Sequence, residues 1–144
     1  MDKNFEDIAN LLEGIVDREI TLQEFVRSIL WGVVKDNPQS EIRFNMVDFV
    51  SAIGIVVKYD QVVSKIFCKF EVFFARDLYG YYSDDISQQL ANIEGIKFNF
   101  SGLVIGSYYG DDENNFQKVK KFFEANENLK IFEEIIKKMK KILL

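Results

Sequence analysis

The stretch Ile20–Val34 constrains this chain more than any other. Thr21 and Glu24 stand at the spacing of a capping box, in which each side chain satisfies a free backbone N–H at a helix start. Ile20 and Phe25 flank the box as a hydrophobic staple. Phe25, Val26, Ile29, Leu30, Val33 and Val34 then recur at helical spacing, and the resulting apolar face must be buried by the rest of the chain. Asn37-Pro38 is predicted to stop this helix. Trp31 lies off the centre of the stripe and is expected at a seam between elements.

Other segments carry compatible signals. Residues 4–19 place Phe5, Ile8, Leu11, Leu12, Ile15 and Val16 on one helical face, with Asn4 as N-cap and Gly14 as a weak point. Met46, Phe49, Val50, Ile53 and Val57 fit a helix started by Asn45. A further helix is predicted from Asp60, with Val63, Ile66, Phe67, Phe70, Phe73 and Phe74 on one side. Cys68, Phe70, Val72 and Phe74 also alternate with polar residues, so a strand competes there. Ser83 reads as an N-cap before Ile86, Leu90 and Ile93, and Gly95 as a stop.

Ile96, Phe98 and Phe100 alternate with Lys97 and Asn99, and Ser101-Gly102 can turn the chain so that Leu103–Tyr109 returns antiparallel. Two helices close the sequence. One carries Phe116, Val119, Phe122 and Phe123; the other carries Phe132, Ile136, Met139 and Leu143, widened by Ile131, Ile135 and Ile142. Glu133 with Lys137, and Glu134 with Lys138, stand four apart in the favourable order.

These elements predict one domain, residues 1–144, of α+β class: mainly α-helical with a small antiparallel β-hairpin near residues 96–109. An all-α bundle, or an α+β fold with a larger sheet including residues 64–74, are the alternatives. With 144 residues the chain can bury a core without disulfides or a structural metal.

Composition excludes much chemistry. There is no histidine, hence no Ser-His-Asp or Cys-His pair and no imidazole base or zinc ligand. Cys68 is the single cysteine, set among apolar neighbours, and reads as a small buried hydrophobe in a reduced compartment. No cofactor or metal site is expected, and the chain is not read as an enzyme. The N-terminus lacks the basic-then-apolar pattern of a signal peptide, and Val50–Val57 is too short to span a bilayer. A cytoplasmic protein is the expectation. Net charge is −5, but residues 1–115 carry 10 cations against 19 anions, and residues 116–144 carry 8 against 4.

Two echoing segments remain, Leu78–Asp85 (LYGYYSDD) and Ser107–Asp112 (SYYGDD). They hold five of the six tyrosines: Tyr79, Tyr81, Tyr82, Tyr108 and Tyr109. Asp84, Asp85, Asp111, Asp112 and Glu113 stand beside them. Acids in a first helical turn favour the dipole and cap free N–H groups, which alone accounts for both aspartate pairs. Tyrosine adds contact area at low entropy cost, and carboxylates around it attract a basic partner. The same acids do not form a calcium loop, because Phe116 and Phe122 occupy the sixth and twelfth positions counted from Asp111. Nor is the Tyr109–Asp112 tetrapeptide a polymerase metal turn, since a helix follows it where that chemistry needs a strand.

In size, acidity and the pairing of tyrosines with carboxylates at Tyr81–Asp85 and Tyr108–Asp112, the chain resembles bacterial toxin-immunity proteins of the contact-dependent-inhibition and colicin-nuclease types. The resemblance implies a protein-binding inhibitor that occludes a basic toxin or nuclease domain, without turnover. On this reading the ten tyrosine and acid residues named above form the partner-binding surface. An alternative is a self-associating helical regulator: a monomer or weak homodimer paired through residues 132–143, or a nucleic-acid binder using Lys137, Lys138, Lys140 and Lys141. The acidic body, which repels phosphate, argues against nucleic acid.

Overall fold

The computed structural model describes residues 5–36, 42–77, 80–93, 96–99, 105–108 and 112–143. Its elements in chain order are α1 (Phe5–Val16), α2 (Leu22–Val34), β1 (Ile42–Asn45), α3 (Met46–Tyr59), α4 (Gln61–Lys69), β2 (Ala75–Asp77), β3 (Gly80–Tyr82), α5 (Asp84–Ala91), β4 (Ile96–Asn99), β5 (Ile105–Tyr108), α6 (Glu113–Ala125) and α7 (Leu129–Leu143). The fold is mainly α-helical α+β, as the periodicities predict.

Helix starts follow local chemistry. Thr21 N–H donates to Glu24 Oε1 at 2.8 Å and Glu24 N–H donates to Thr21 Oγ1 at 3.1 Å, completing the box. Asn45 Oδ1 accepts from Asp48 N–H at 3.1 Å to open α3. Asp60 Oδ1 accepts from Val62 and Val63 N–H at 3.0 and 3.2 Å to open α4. Ser83 Oγ accepts from Ile86 N–H at 3.3 Å to open α5. The expected signals at Asn4, Asn37-Pro38, Gly95 and Ser101-Gly102 lie outside the described residues.

Helix ends follow a rule that glycine does not mark. α1, α4 and α6 each close in a Schellman motif whose left-handed residue is charged: Arg18 (φ 60°), Glu71 (φ 61°) and Glu127 (φ 58°). Val72 N–H reaches back to Phe67 O at 3.0 Å and Glu71 N–H to Cys68 O at 2.9 Å. α4 therefore stops at Lys69, and neither Phe73 nor Phe74 belongs to it. This corrects the long apolar face expected from Asp60 onwards. It also removes the strand alternative over residues 64–74, most of which are helix or turn.

The centre of the molecule is α2. It lies against α5, α6 and α7, while α1 covers α4. The Phe25 ring packs against Phe67, Phe70 and Phe123 at centroid distances of 5.3, 5.3 and 5.7 Å, and Phe132 lies 6.4 Å away. In α7, Phe132, Ile135, Ile136 and Met139 are buried in the same core. The Phe132–Met139 part of the face proposed for self-association is thus buried inside the monomer, while Ile142 stays 40% exposed.

The expected hairpin forms: β4 pairs antiparallel with β5, with Ile96 opposite Tyr108. The other edge of β5 is taken by β1, with Ile42 also opposite Tyr108, giving a three-stranded sheet in the order β1-β5-β4. A second two-stranded sheet joins β2 to β3. Both sheets rule out the all-α alternative. Among the described residues no helix is long and apolar enough to cross a membrane.

Two predictions test these joints. Arg18→Gly and Glu71→Gly relieve a left-handed backbone at a side-chain-bearing residue, so each should raise the urea midpoint by the equivalent of about 0.5–1 kcal/mol; an unchanged or lowered midpoint would contradict the cap assignment. Asp60 also accepts from Lys138 Nζ at 3.0 Å. Partial burial works to raise its carboxyl, but Lys138 and the two N–H groups outweigh that and hold it below the usual carboxylate range. Asp60→Asn keeps an N-cap acceptor while deleting the charge. The stability gap between wild type and this variant should be constant above about pH 5, then close as acid protonates the depressed carboxyl. A pH-independent gap would show that the ion pair contributes nothing.

Candidate protein-interaction site

The two tyrosine-acid echoes are anchored to different helices. β3, which carries the first, is seated on α3. Tyr81 N–H donates to Ser51 Oγ at 3.2 Å, and a methyl group at Gly54 would collide with Tyr81 Cβ, so the hairpin rests directly on the α3 backbone. The Tyr81 ring is half-buried beneath two cations: Lys58 Nζ lies 5.5 Å and Arg76 Cζ 5.7 Å from its centroid. Lys58 also lies 5.9 Å from the Tyr59 ring. The Tyr81 hydroxyl and the Tyr59 ring hold the Lys58 ammonium above its usual range, against the repulsion of Arg76.

Around Tyr81 the surface is aromatic. Tyr59 is 78% exposed, Phe73 72% and Tyr82 43%. Tyr82 is the outward neighbour of Tyr81 in β3, and Ser83, Asp84 and Asp85 follow it. Ser83 is buried as a cap, Asp84 is exposed and Asp85 half-exposed in the first turn of α5. A groove of about 300 Å³ opens between the end of α3, α4 and the hairpin, lined by Val57, Lys58, Phe67, Val72, Phe73 and Tyr81 among others. Cys68 also faces this groove and is exposed, which corrects its expected burial.

The second echo is built into a helix clamp. Asp112 is 4% exposed and its carboxylate is ion-paired with Arg27 of α2. It precedes α6 without capping it. Glu113 accepts from Trp31 Nε1–H at 2.8 Å and from Gln117 Nε2–H at 2.9 Å, and the indole hydrogen bond holds its carboxyl below the usual range. Asn115 Nδ2 donates to Glu24 O at 2.9 Å and Ser28 Oγ at 3.0 Å, and Lys118 pairs with Glu24. Trp31 does sit at a seam, between α2 and α6. Tyr108 lies on β5, the central strand of its sheet. Tyr79, Tyr109 and Asp111 lie outside the described residues.

Of the ten candidate residues, Tyr81, Tyr82, Asp84 and Asp85 thus share one corner, while Asp112 and Glu113 serve the α2–α6 joint. Lys58, Tyr59, Phe73 and Arg76 join that corner although the sequence reading passed over them. Tyr59 has a signal: it precedes the Asp60 cap and stands off the α3 stripe. The basic C-terminal helix is partly neutralised, Lys138 by Asp60 at 3.0 Å and Lys140 by Asp36 at 2.9 Å. Among the described residues no group of three or more acids or cysteines is placed to hold a metal ion. Comparison with protein-family models, curated proteins and solved structures returned no match.

The two aspartate pairs should separate in stability. Asp112→Ala leaves the Arg27 guanidinium without its buried partner and should cost about 2 kcal/mol or more in urea unfolding. Asp84→Asn and Asp85→Asn, at an exposed first turn, should each cost about 1 kcal/mol or less. Equal losses would refute the division into clamp and surface.

Proposed function

We propose that this chain is a protein-binding inhibitor of the immunity type, holding its partner at the corner formed by α3, the β2–β3 hairpin and the start of α5. One observation carries the reading: large aromatic side chains stand exposed together, with Tyr59 at 78% and Phe73 at 72%. Aromatic rings supply a large contact area at low side-chain entropy cost, which suits hot-spot residues. Around them the charge is of two signs. Asp84 and Asp85 extend from Tyr82 and face a basic group, whereas Lys58 and Arg76 lie on Tyr81. Complementary charges of both signs fix the orientation of a docked protein and reject wrongly charged competitors. Inhibition follows by covering the partner's working surface.

Co-expression with the toxic domain encoded by the neighbouring reading frame tests this. The wild-type chain should protect the host. Tyr82→Ala, or Asp84→Asn with Asp85→Asn, should still unfold cooperatively above the assay temperature yet weaken binding of that domain by about 30-fold or more, the equivalent of about 2 kcal/mol. Protection and affinity unchanged in all these variants would reject the surface. A neighbouring frame whose product is not toxic, or is toxic but unbound, would reject the function.

A further inference from the structure

We propose that the groove beside Tyr81 receives an apolar side chain from an acidic segment of the partner, whose carboxylates settle on Lys58 and Arg76. This rests on the protein-binding reading and specifies what part of the partner enters. The groove floor is apolar, with Val57, Phe67 and Val72, and its volume of about 300 Å³ is at the small end of binding cavities. Such a space suits a single aliphatic or aromatic group.

The rim supplies the sign. Arg27, Lys118, Lys138 and Lys140 each pair with a carboxylate. Lys58 Nζ and Arg76 Cζ instead lie 5.5 and 5.7 Å from the centroid of the Tyr81 ring, Lys58 lining the groove and Arg76 standing on β2 beside it, and among the described residues no ion pair joins either to a carboxylate. Both cations are held on the same aromatic ring, Tyr81. They also repel each other, which is why Arg76 works to lower the Lys58 ammonium. Carboxylates arriving at this corner offset that repulsion and can form charge-assisted hydrogen bonds to either cation. A single-stranded nucleic acid fits less well. Its bases need flat faces for stacking, the groove offers a recess, and the negative body opposes a polyanion.

The test uses the isolated chain, so its outcome is read separately from the survival assay. The ¹⁵N-labelled protein is titrated to millimolar ligand with three probes: acetyl-Asp-Glu-Phe-Leu-Asp-Glu-amide, its Asn/Gln analogue, and an eight-nucleotide oligothymidylate. The acidic peptide should shift the amides of Lys58, Ser64, Phe73 and Tyr81 saturably, less so as salt rises. Lys58→Gln with Arg76→Gln, both exposed positions, should weaken that binding about tenfold or more while the rest of the spectrum stays in place. Equal binding of the neutral analogue would overturn the role of the cations. Shifts at the same amides with oligothymidylate alone would replace the peptide with nucleic acid. Absence of groove shifts with the acidic peptide would overturn the proposal, even if the toxic domain is still bound elsewhere.

Discussion

The fold depends on one phenylalanine ring that meets four others from three different helices. Phe25 projects from the first turns of α2 and meets Phe67 of α4, Phe70 at its C-cap, Phe123 of α6 and Phe132 of α7. Phe123 and Phe132 stack on each other at 5.1 Å, and Phe116 lies 5.5 Å from Phe132. Offset and tilted rings at these separations gain more than their buried area alone supplies. The sheets rest on α3 and α5, since strands of three or four residues do not persist in water without helices behind them. The capping box that positions Phe25 is therefore local chemistry with a global consequence.

Glycines complete the same joints. Gly14 is the apparent weak point of α1, yet a methyl group there would strike the Phe122 ring. Gly54 likewise lets Tyr81 lie on the α3 backbone. Each lowers helix propensity by about 1 kcal/mol, a cost offset where another element can approach more closely.

What could be read in the sequence was what neighbours in sequence determine. Thr21, Asn45, Asp60 and Ser83 accept N–H groups two or three residues ahead, so their roles follow from spacing. The C-terminal ends were hidden because Arg18, Glu71 and Glu127 take a conformation usually marked by glycine. For α4 that error carried Phe73 onto a helix, when it stands in solvent as part of the candidate site. Long-range pairings were equally out of reach. Nothing in Ile42–Asn45 reveals that it borders β5, and nothing beside Asp112 reveals Arg27, a whole sheet and several helices earlier in the chain.

The same distinction explains why net charge misdirects. A total of −5 suggests an acidic face, but a carboxylate engaged by a cation or capping an N–H attracts little from outside. Glu24, Asp36, Asp60 and Asp112 are all engaged in this way. Charges at the aromatic corner outside such pairs include Asp84 and Asp85 of α5 and Lys58 and Arg76 on the Tyr81 ring. Attraction at such a surface comes from a pattern and survives in a chain of any net charge. A partner that is merely basic would be drawn to Asp84 and Asp85 and repelled at Tyr81; one that carries an acidic, apolar segment within a basic surface meets attraction at both ends. On the proposed reading specificity would be geometric: the spacing between the acids that open α5 and the cations on α3 and β2 would decide which partner fits.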